Sequence, residues 1–374
     1  MIHPLRGAFL AQAGHCDTLG SPFMARLCRL LADRLEPGMP LTDRLFAWPG
    51  NPGANGASVP LRLAGALHAL RLGGHPGLAA VYPPLDVDDD TLFAAIALVL
   101  ASEAAAIDRI LDSPPQTNEV RRAAVLVGIG HWLADRFGLP LVLSEIGASA
   151  GLNLHWDRCS LAGSGWVRGP AGAAVALAPA WPGAPPPAVV PQIADRRGCD
   201  LNPLDPRRDR NRVLSYLWPD QAERLTMTRA ALDLPPAPVD RADAAEWLAR
   251  RAAPWPGHCH LICHTIVWQY FSPATAARAR AAIETAGAAA TDTAPLAWFG
   301  MEADGKGPGA GLTLRLWPGD MRLDFGRVDS HGRWVDWRPD DLPGSPDRIA
   351  TPGIETSRTR PDGVSRNDPA RQGG

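Results

Sequence analysis

The sequence has almost no lysine. Of its 37 lysine and arginine residues, Lys306 is the single lysine. A phosphate-binding loop of the form G-x-x-x-x-G-K-[ST] is therefore excluded, because Lys306 lies instead in the segment DGKGPG. The same residue is the one candidate for a Schiff base with a carbonyl substrate, and its glycine-rich turn gives that chemistry no support.

The chain also lacks an excess of basic charge, a regular cysteine pattern and a long apolar run. Its formal net charge is -2, so the basic surface that nucleic-acid binders carry is not expected. Six cysteines without regular spacing, and no leader pattern, predict a reducing cytoplasm. The longest apolar run, 92–101, is too short to span a bilayer. We therefore expect a soluble cytoplasmic protein with a small-molecule substrate and no membrane or nucleic-acid partner; its oligomeric state stays open.

The first part of the sequence predicts an all-helical domain over residues 1–138. This region is rich in Ala, Leu and Arg, and its apolar residues recur at three- and four-residue spacing. Its last helix is expected to end at Gly138, with Pro140 as a stop signal beyond it. No strand is predicted before Leu141.

The second part, residues 139–338, predicts an α/β domain. Short apolar runs alternate with helical patterns, which favours a mostly parallel sheet ending in an antiparallel hairpin. One predicted strand runs through 259–271, and an insertion occupies about 160–190. The tail 339–374 is poor in core-forming residues and is predicted to be disordered.

The segment SEIGASAGLN at 144–153 is compatible with two chemistries. As G-x-S-x-G it has the pattern of a nucleophile elbow, with Ser149 as the nucleophile of a hydrolase. As an acid followed by spaced glycines it has the pattern of a nucleotide-binding loop after a first strand. The elbow is disfavoured, because its strand would be the first of the sheet and no H-G-G-G segment precedes it. A triad of Ser149, Asp243 and either His264 or His331 nevertheless stays open.

The order of elements from about 139 to 337 resembles the S-adenosylmethionine-dependent methyltransferases with a Rossmann-like fold. Their E/DxGxGxG loop matches Glu145, Gly147 and Gly151, with Ser149 in place of the middle glycine. The acid that ends their second strand and holds the cofactor ribose corresponds to Asp200, with Asp195 and Asp205 as alternatives. There is no N-P-P-Y motif, which disfavours the amino-group methyltransferases that carry it.

This resemblance implies roles for particular residues. Asp243 would contact the adenine, and the segment after the fourth strand, 264–270, would face the reacting methyl group. His264 is the candidate base, and Tyr270 and Trp268 would flank a substrate, with core packing as the alternative for the aromatic pair. The cofactor-binding residues that the resemblance implies are Glu145, Gly147, Ser149, Gly151, Asn153, Asp200 and Asp243.

Two other groups of residues receive simpler interpretations. Asn118, Glu119 and Arg121 precede the helix that leads into the sheet; they are weak site candidates, and a helix start with Asn118 or Thr117 as the cap is preferred. His258, His260 and His264 would point to one side of a strand and the neighbouring cysteines to the other. No metal site is therefore predicted.

Four segments, EIGASAGLNL, GCDLNPLDP, YLWPDQ and VWQY, together resemble a bacterial family known only as a domain of unknown function. That family would cover nearly the whole chain except the tail, and it implies no established activity. The functional expectation is methyl transfer to an unidentified small-molecule or protein acceptor. The alternatives are a non-catalytic module that binds S-adenosylmethionine or a nucleotide, and a serine hydrolase that uses Ser149.

Overall fold

The structure is a computed structural model in which residues 2–340 are described. The predicted disordered tail lies outside the described residues, apart from Pro339 and Asp340. The region before the sheet is helical, and among the residues described no strand precedes Leu141. Its helices are α1 (Pro4–Thr18), α2 (Pro22–Arg34), α3 (Pro40–Phe46), α4 (Val59–Leu72), α5 (Pro76–Ala79), α6 (Asp89–Ser102), α7 (Ala104–Leu111) and α8 (Ala123–Phe137).

The first seven helices pack around a core of their own. The apolar stripe of α2 buries Leu27, Leu30 and Leu31, as the spacing in the sequence predicts. The same core contains Trp218, which comes from the α/β part of the chain. Core packing therefore connects the helical region to the remainder of the molecule.

Helices α6 and α7 are adjacent but not continuous. They meet at a bend of 85° after Ser102. Between residues 2 and 340, no single helix is both long and apolar enough to cross a membrane.

Helix α8 leads into the sheet and ends where the sequence predicts. Gly138 follows it with a φ of 62°, a left-handed conformation that glycine adopts without steric penalty. The Gly138 N–H donates to the Ala134 carbonyl and so satisfies one of the last acceptors of the helix. The turn at Gly138 thus sets the direction in which the chain leaves α8 and enters the sheet.

An eight-stranded sheet forms the centre of the α/β part, and a three-stranded sheet lies beside it in the fold. The strands in chain order are β1 (Leu141–Ile146), β2 (Cys159–Gly163), β3 (Trp166–Arg168), β4 (Val175–Leu177), β5 (Ile193–Asp200), β6 (Val239–Arg241), β7 (Cys259–Thr265), β8 (Leu296–Glu302), β9 (Ala310–Trp317), β10 (Met321–Val328) and β11 (Val335–Trp337). The large sheet has the order β6–β5–β1–β7–β8–β9–β10–β11. From β6 to β8 the neighbours run parallel, and from β8 onward they run antiparallel. The fold is thus α/β with a mostly parallel sheet and an antiparallel end, as expected.

The small sheet has the order β3–β2–β4 and lies within the segment predicted to be an insertion. Alternate residues of its strands are buried, namely Cys159 and Leu161 in β2 and Val175 and Leu177 in β4. One face of this sheet is therefore packed against the molecule.

Four helices connect the strands of the large sheet: α9 (Arg210–Ser215), α10 (Ala222–Leu232), α11 (Ala244–Arg251) and α12 (Pro273–Ala288). The sequence predicts α11 and α12 closely, but the helical pattern it shows over 212–225 covers only parts of α9 and α10. The predicted strand 259–271 was wrong beyond Thr265, because Trp268–Tyr270 form a short 3₁₀ helix. Ile266 has a φ of 55°, which turns the chain out of the sheet despite the β-branched and aromatic composition.

Candidate functional site

The segment after β1 forms a tight loop at a point where the strand order reverses. Strand β1 lies between β5 and β7, which is where open α/β sheets bind ligands at the carboxyl ends of their strands. Gly147, Ser149 and Gly151 have φ values of 68°, 53° and 72°. A Cβ on Gly147 would lie 2.4 Å from Cγ2 of Val267, so glycine is required at this close approach.

Every backbone N–H from residue 147 to residue 152 is engaged within the chain. The end of β5 holds the first half of this loop, and the side chain of Asn118 holds the second half. The donor–acceptor pairs are Gly147 N to Cys199 O (2.9 Å), Ala148 N to Cys199 O (3.0 Å), Ser149 N to Asp200 Oδ2 (2.9 Å), Ala150 N to Asn118 Oδ1 (3.1 Å), Gly151 N to Ala148 O (2.7 Å) and Leu152 N to Asn118 Oδ1 (3.4 Å). In this conformation the loop offers no free backbone donor to an anionic ligand.

Three side chains of the predicted cofactor site contain buried polar atoms that have no hydrogen-bond partner within residues 2–340. They are Glu145 Oε2, Ser149 Oγ and Asn153 Oδ1. Asn153 uses its amide nitrogen to donate to the Glu119 carbonyl at 3.3 Å. Buried polar atoms are normally satisfied, so these three are sites where a ligand atom would improve the hydrogen bonding.

Glu145 is the acid at the end of β1. Burial, followed by repulsion from Asp200, raises the pKa of Glu145 to about 8, although the charge of Arg122 acts in the opposite direction. The carboxyl group is therefore mostly protonated at neutral pH in this conformation. A cationic ligand group beside Oε2 would favour its ionised form.

Asp200 is the acid at the end of β5, as the resemblance implies. Its carboxylate accepts from the N–H groups of Ser149 and Asn202 at 2.9 and 2.8 Å, and from the Gln116 amide at 3.4 Å. The two alternatives lie elsewhere. Asp195 lies inside β5 and pairs with Arg251, and Asp205 accepts from the turn that follows it.

Asp243, the predicted adenine contact, begins α11. Its carboxylate accepts from the N–H groups of Ala245 and Glu246 at 3.0 and 3.2 Å and lies 3.4 Å from Arg278. These are the contacts of a helix N-cap. The structure therefore gives Asp243 a capping role, and Asp243 still lies at the carboxyl edge of the sheet after β6.

Residues 116–122, which we call the strap, lie across the β1 loop. Gln116 Nε2 donates to Asp200 and to the Asn202 carbonyl, and Asn118 accepts from the loop as described above. The preferred interpretation of Asn118 as a helix cap was wrong, because its side chain is used by the loop and Arg122 occupies the cap position of α8. The role of Asn118 in holding the β1 loop is visible only in the structure, because its partners Ala150 and Leu152 are more than 30 positions away in the sequence.

Glu119 fixes the strap to α10. Its Oε2 lies 2.6 Å from Nε and from Nη2 of Arg224, and the side chains are 1% and 2% exposed. The other oxygen accepts from Arg121 N at 3.2 Å. A neighbouring pair between Arg121 and Glu223 also joins the strap to α10, but Glu223 is 82% exposed.

His264, the candidate base, has both ring nitrogens occupied. Nδ1 lies 2.7 Å from Glu302 Oε1, and Nε2 accepts from Trp298 Nε1 at 3.0 Å. Glu302 Oε1 also accepts from Val267 N and Trp268 N, at 2.9 and 3.0 Å. Burial alone would raise the pKa of Glu302, but these bonds, led by the one from His264, lower it overall. His264 thus positions the segment after β7, and its geometry gives it no free lone pair for proton abstraction.

Tyr270 and Trp268 do not share a strand face. The Trp268 ring lies 5.0 Å from His264 and 5.3 Å from Trp298, whereas Tyr270 is 74% exposed. Trp268 therefore belongs to an aromatic cluster and Tyr270 to the surface at the edge of the site.

The residues of a serine hydrolase do not come together. Among the residues described, Ser149 Oγ has no hydrogen-bond partner, so neither His264 nor His331 pairs with it, and Asp243 and His264 are engaged as described. A serine–histidine pair does exist between Ser144 and His260, with Oγ 2.8 Å from Nε2, but the two residues are fully buried in β1 and β7. Arg251 Nε also donates to Ser144 Oγ at 3.0 Å, so this pair is part of the internal hydrogen bonding.

The strand histidines also remain apart from one another. His258 is half-buried, and its Nδ1 lies 2.9 Å from the Pro256 carbonyl. Within residues 2–340, no group of three or more His, Cys, Asp or Glu side chains is placed to hold a metal ion.

Two surface cavities lie outside the loop. One of about 200 Å³ is lined by the strap residue Arg121 and by Glu223 and Arg333 among others. A second of about 690 Å³ is lined by Trp181, Trp334 and neighbouring residues. None of the predicted cofactor-binding residues lines either cavity. These two cavities therefore do not mark the predicted cofactor site.

Comparison with known proteins gives one match. The profile of a family described as "Uncharacterized protein conserved in bacteria (DUF2332)" matches residues 6–337, which include the helical region, both sheets and the strap. No curated protein and no solved structure matches the chain.

Proposed function

The chain belongs to DUF2332, a family of uncharacterized proteins conserved in bacteria, and on the geometry of the β1 loop we propose that it is an S-adenosylmethionine-dependent methyltransferase. The observation that carries the proposal is the set of unpartnered buried atoms on Glu145, Ser149 and Asn153 beside a loop of positive φ. The cofactor supplies a methyl group already activated as a sulfonium. The protein then has to bind the two reactants and hold them in line.

The topology supports this assignment. Strands β6, β5, β1, β7 and β8 correspond to the order 3-2-1-4-5 of a Rossmann-type sheet. The acids Glu145 and Asp200 end the first and second strands of this order, on the two sides of the loop. Their positions match the places that the resemblance assigns to the methionine and ribose parts of the cofactor.

The donor set fits the cofactor in part. Glu145 Oε2 would accept from its ammonium group, Ser149 Oγ would donate to its carboxylate, and Asp200 Oδ2 would accept from a ribose hydroxyl beside its single present bond. The loop backbone supplies nothing, since its N–H groups are engaged. Asp243 would have to serve the adenine while capping α11.

The methyl acceptor would lie beside the segment after β7. His264, Glu302 and the N–H groups of Val267 and Trp268 hold that segment rigidly. Trp268 and Trp298 present aromatic surface there, which suits a sulfonium or an apolar acceptor. This arrangement orients reactants and excludes water, and it assigns no proton transfer to His264.

The non-catalytic alternative uses the same residues. A protein that binds S-adenosylmethionine without transferring the methyl group would need the loop and the acids but not the aromatic segment. The appearance of S-adenosylhomocysteine during incubation with candidate acceptors separates the two. The hydrolase alternative predicts covalent labelling of Ser149 by a fluorophosphonate, and its unpartnered Oγ gives no reason to expect it.

The proposal is tested by calorimetric titration with S-adenosylmethionine and S-adenosylhomocysteine. We expect micromolar dissociation constants for the wild type and a loss of at least about tenfold for Asp200→Asn, because the charged acceptor of the ribose is removed. Asp205→Asn is the matched control, since that carboxylate lies five positions away and serves only a local turn. Absence of binding to the wild type would remove the methyltransferase assignment.

A further inference from the structure

Arg122, the last residue of the strap, directs a charged guanidinium toward the carboxyl edge of the sheet. Its Nε donates to the Ser330 carbonyl and its Nη1 to the Thr265 carbonyl, each at 3.0 Å. Thr265 ends β7, and Ser330 lies in the turn between β10 and β11. Both hydrogen-bond partners are neutral, so Arg122 is held in place without a direct ion pair, although Glu119 and Glu302 act on its charge from a distance.

No carboxylate pairs with Arg122 among residues 2–340. The neighbouring arginines do have partners, since Arg121 pairs with Glu223 and Arg224 with Glu119. Oε1 of Glu302 is engaged with His264, whereas Glu302 Oε2 has no hydrogen-bond partner in the described part of the chain and acts on Arg122 only through its charge, without a direct ion pair. Arg122 is half-buried. Arginines removed from solvent are normally paired, and burial is the main influence that lowers the pKa of Arg122 below its ordinary value.

We infer that Arg122 binds an oxyanion group, a carboxylate or a phosphate, of the methyl acceptor, so that the acceptor is a small acid. This inference rests on the proposed function. The guanidinium has Nη2 and one hydrogen of Nη1 left after its two carbonyl bonds. These donors form the planar fork that carboxylates and phosphates accept in a bidentate manner.

The location of Arg122 favours the acceptor over the cofactor. The acids assigned to the cofactor ribose and adenine lie after β5 and β6, on one side of β1. Arg122 instead bonds to the end of β7 and to the turn after β10, on the other side. That side contains His264 and Trp268, which are assigned to the segment that faces the reacting methyl group.

The inference is tested by thermal unfolding in sodium succinate and in inorganic phosphate, with sodium chloride at equal ionic strength as reference. We expect both anions to raise the Tm of the wild type above its value in chloride, because a ligand of the folded state stabilises it. Arg122→Met should lose this increment, and Arg122→Lys should keep part of it. The exposed Arg250→Met is the control and should keep all of it.

An equal increment in Arg122→Met and in the wild type would overturn the inference, since it would report only the general effect of such anions on folded proteins. If Arg122→Met does not fold, Arg122→Lys decides the matter: it retains the charge but not the fork, so an undiminished increment in that variant overturns bidentate binding.

A second titration separates the acceptor from the cofactor. S-adenosylhomocysteine should bind Arg122→Lys and Arg122→Met within about threefold of the wild type if Arg122 serves the acceptor. A loss of about tenfold or more would place the carboxylate of the cofactor on Arg122 and overturn the acceptor assignment. If the wild type binds no S-adenosylhomocysteine, the methyltransferase proposal fails, and the succinate comparison alone decides whether Arg122 is an oxyanion site.

Discussion

Single residues at the carboxyl edge of the sheet determine what the loop can bind. Glycine is required at position 147 by the approach of Val267, and the unpartnered oxygen of Glu145 is fixed by the rigid end of β1. The sequence pattern indicates both residues, because an acid and spaced glycines after an apolar run are a local signal. Whether their polar atoms have partners is not a local property, and only the structure shows it.

Glu145 makes stability depend on pH in a defined direction. Its folded pKa of about 8 lies above its ordinary value of 4.5, so the folded state binds the proton more tightly than the unfolded state. The contribution of Glu145 to the free energy of unfolding should therefore fall as pH rises between these values, by up to about 1.4 kcal/mol for each pH unit. Glu145→Gln removes this term, and its stability relative to the wild type should increase from pH 5 to pH 8.

Urea unfolding measures the stability difference between Glu145→Gln and the wild type at about pH 5, 6.5 and 8. These pH values span about the interval between the unfolded and the folded pKa of Glu145. Glu246→Gln, which changes an exposed glutamate, is the control and should give a difference that does not vary with pH. A pH-independent difference for Glu145→Gln as well would show that Glu145 is ionised in the folded protein.

At the scale of elements, the strap is held to α10 by two ion pairs of different environment. The Glu119–Arg224 pair is fully buried, whereas Glu223 of the other pair is exposed. Glu119→Gln leaves a buried arginine without its charge partner and should destabilise the protein by about 3–5 kcal/mol. Glu223→Gln should cost less than about 1 kcal/mol. The change in the free energy of unfolding measures both.

The double variant Glu119→Leu, Arg224→Met refines this prediction. Since neither charge of the Glu119–Arg224 pair is then left buried, it should recover much of the stability that Glu119→Gln loses. If Glu119→Gln and Glu223→Gln destabilised the protein equally, the claim that the buried Glu119–Arg224 pair is what holds the strap to α10 would be contradicted.

At the scale of the whole molecule, the helical region and the α/β part share packing that can be tested at glycine positions. A Cβ on Gly65 in α4 would lie 2.6 Å from Cε1 of Tyr216, which follows α9. Gly65→Ala should therefore lower the Tm by about 2–10 °C through overpacking of this joint. Gly14→Ala in α1 is matched in secondary structure and has nothing within 4 Å of its Cβ, so it should raise stability by about 0.5–1 kcal/mol.

Thermal unfolding followed by circular dichroism distinguishes the two glycine variants. If Gly65→Ala raised the Tm as Gly14→Ala does, α4 and Tyr216 would not be tightly packed against each other. The helical region would then behave as an independent unit, in agreement with the predicted domain boundary at residue 138.

Membership in the bacterial family and the coarse fold class were predicted from the sequence and are confirmed. Periodicity and breakers are read locally, so they were sufficient for the order of helices and strands and for the end of α8 at Gly138. They were insufficient at Ile266, where a positive φ ends β7 against the local composition. The cytoplasmic location, the domain boundaries and the site residues remain predictions.

The sequence by itself determined the α/β architecture, the loop with its acid and glycines, and the family, because each depends on residues close together in the chain. Only the tertiary structure decided which side chains contact one another at the site. Asn118 binds the loop, Glu119 meets Arg224 across 105 positions and His264 has no free nitrogen. Among residues 2–340, Arg122 has carbonyl partners but no carboxylate. Such contacts join residues far apart in sequence, and their presence or absence is fixed by how the elements pack rather than by any local pattern.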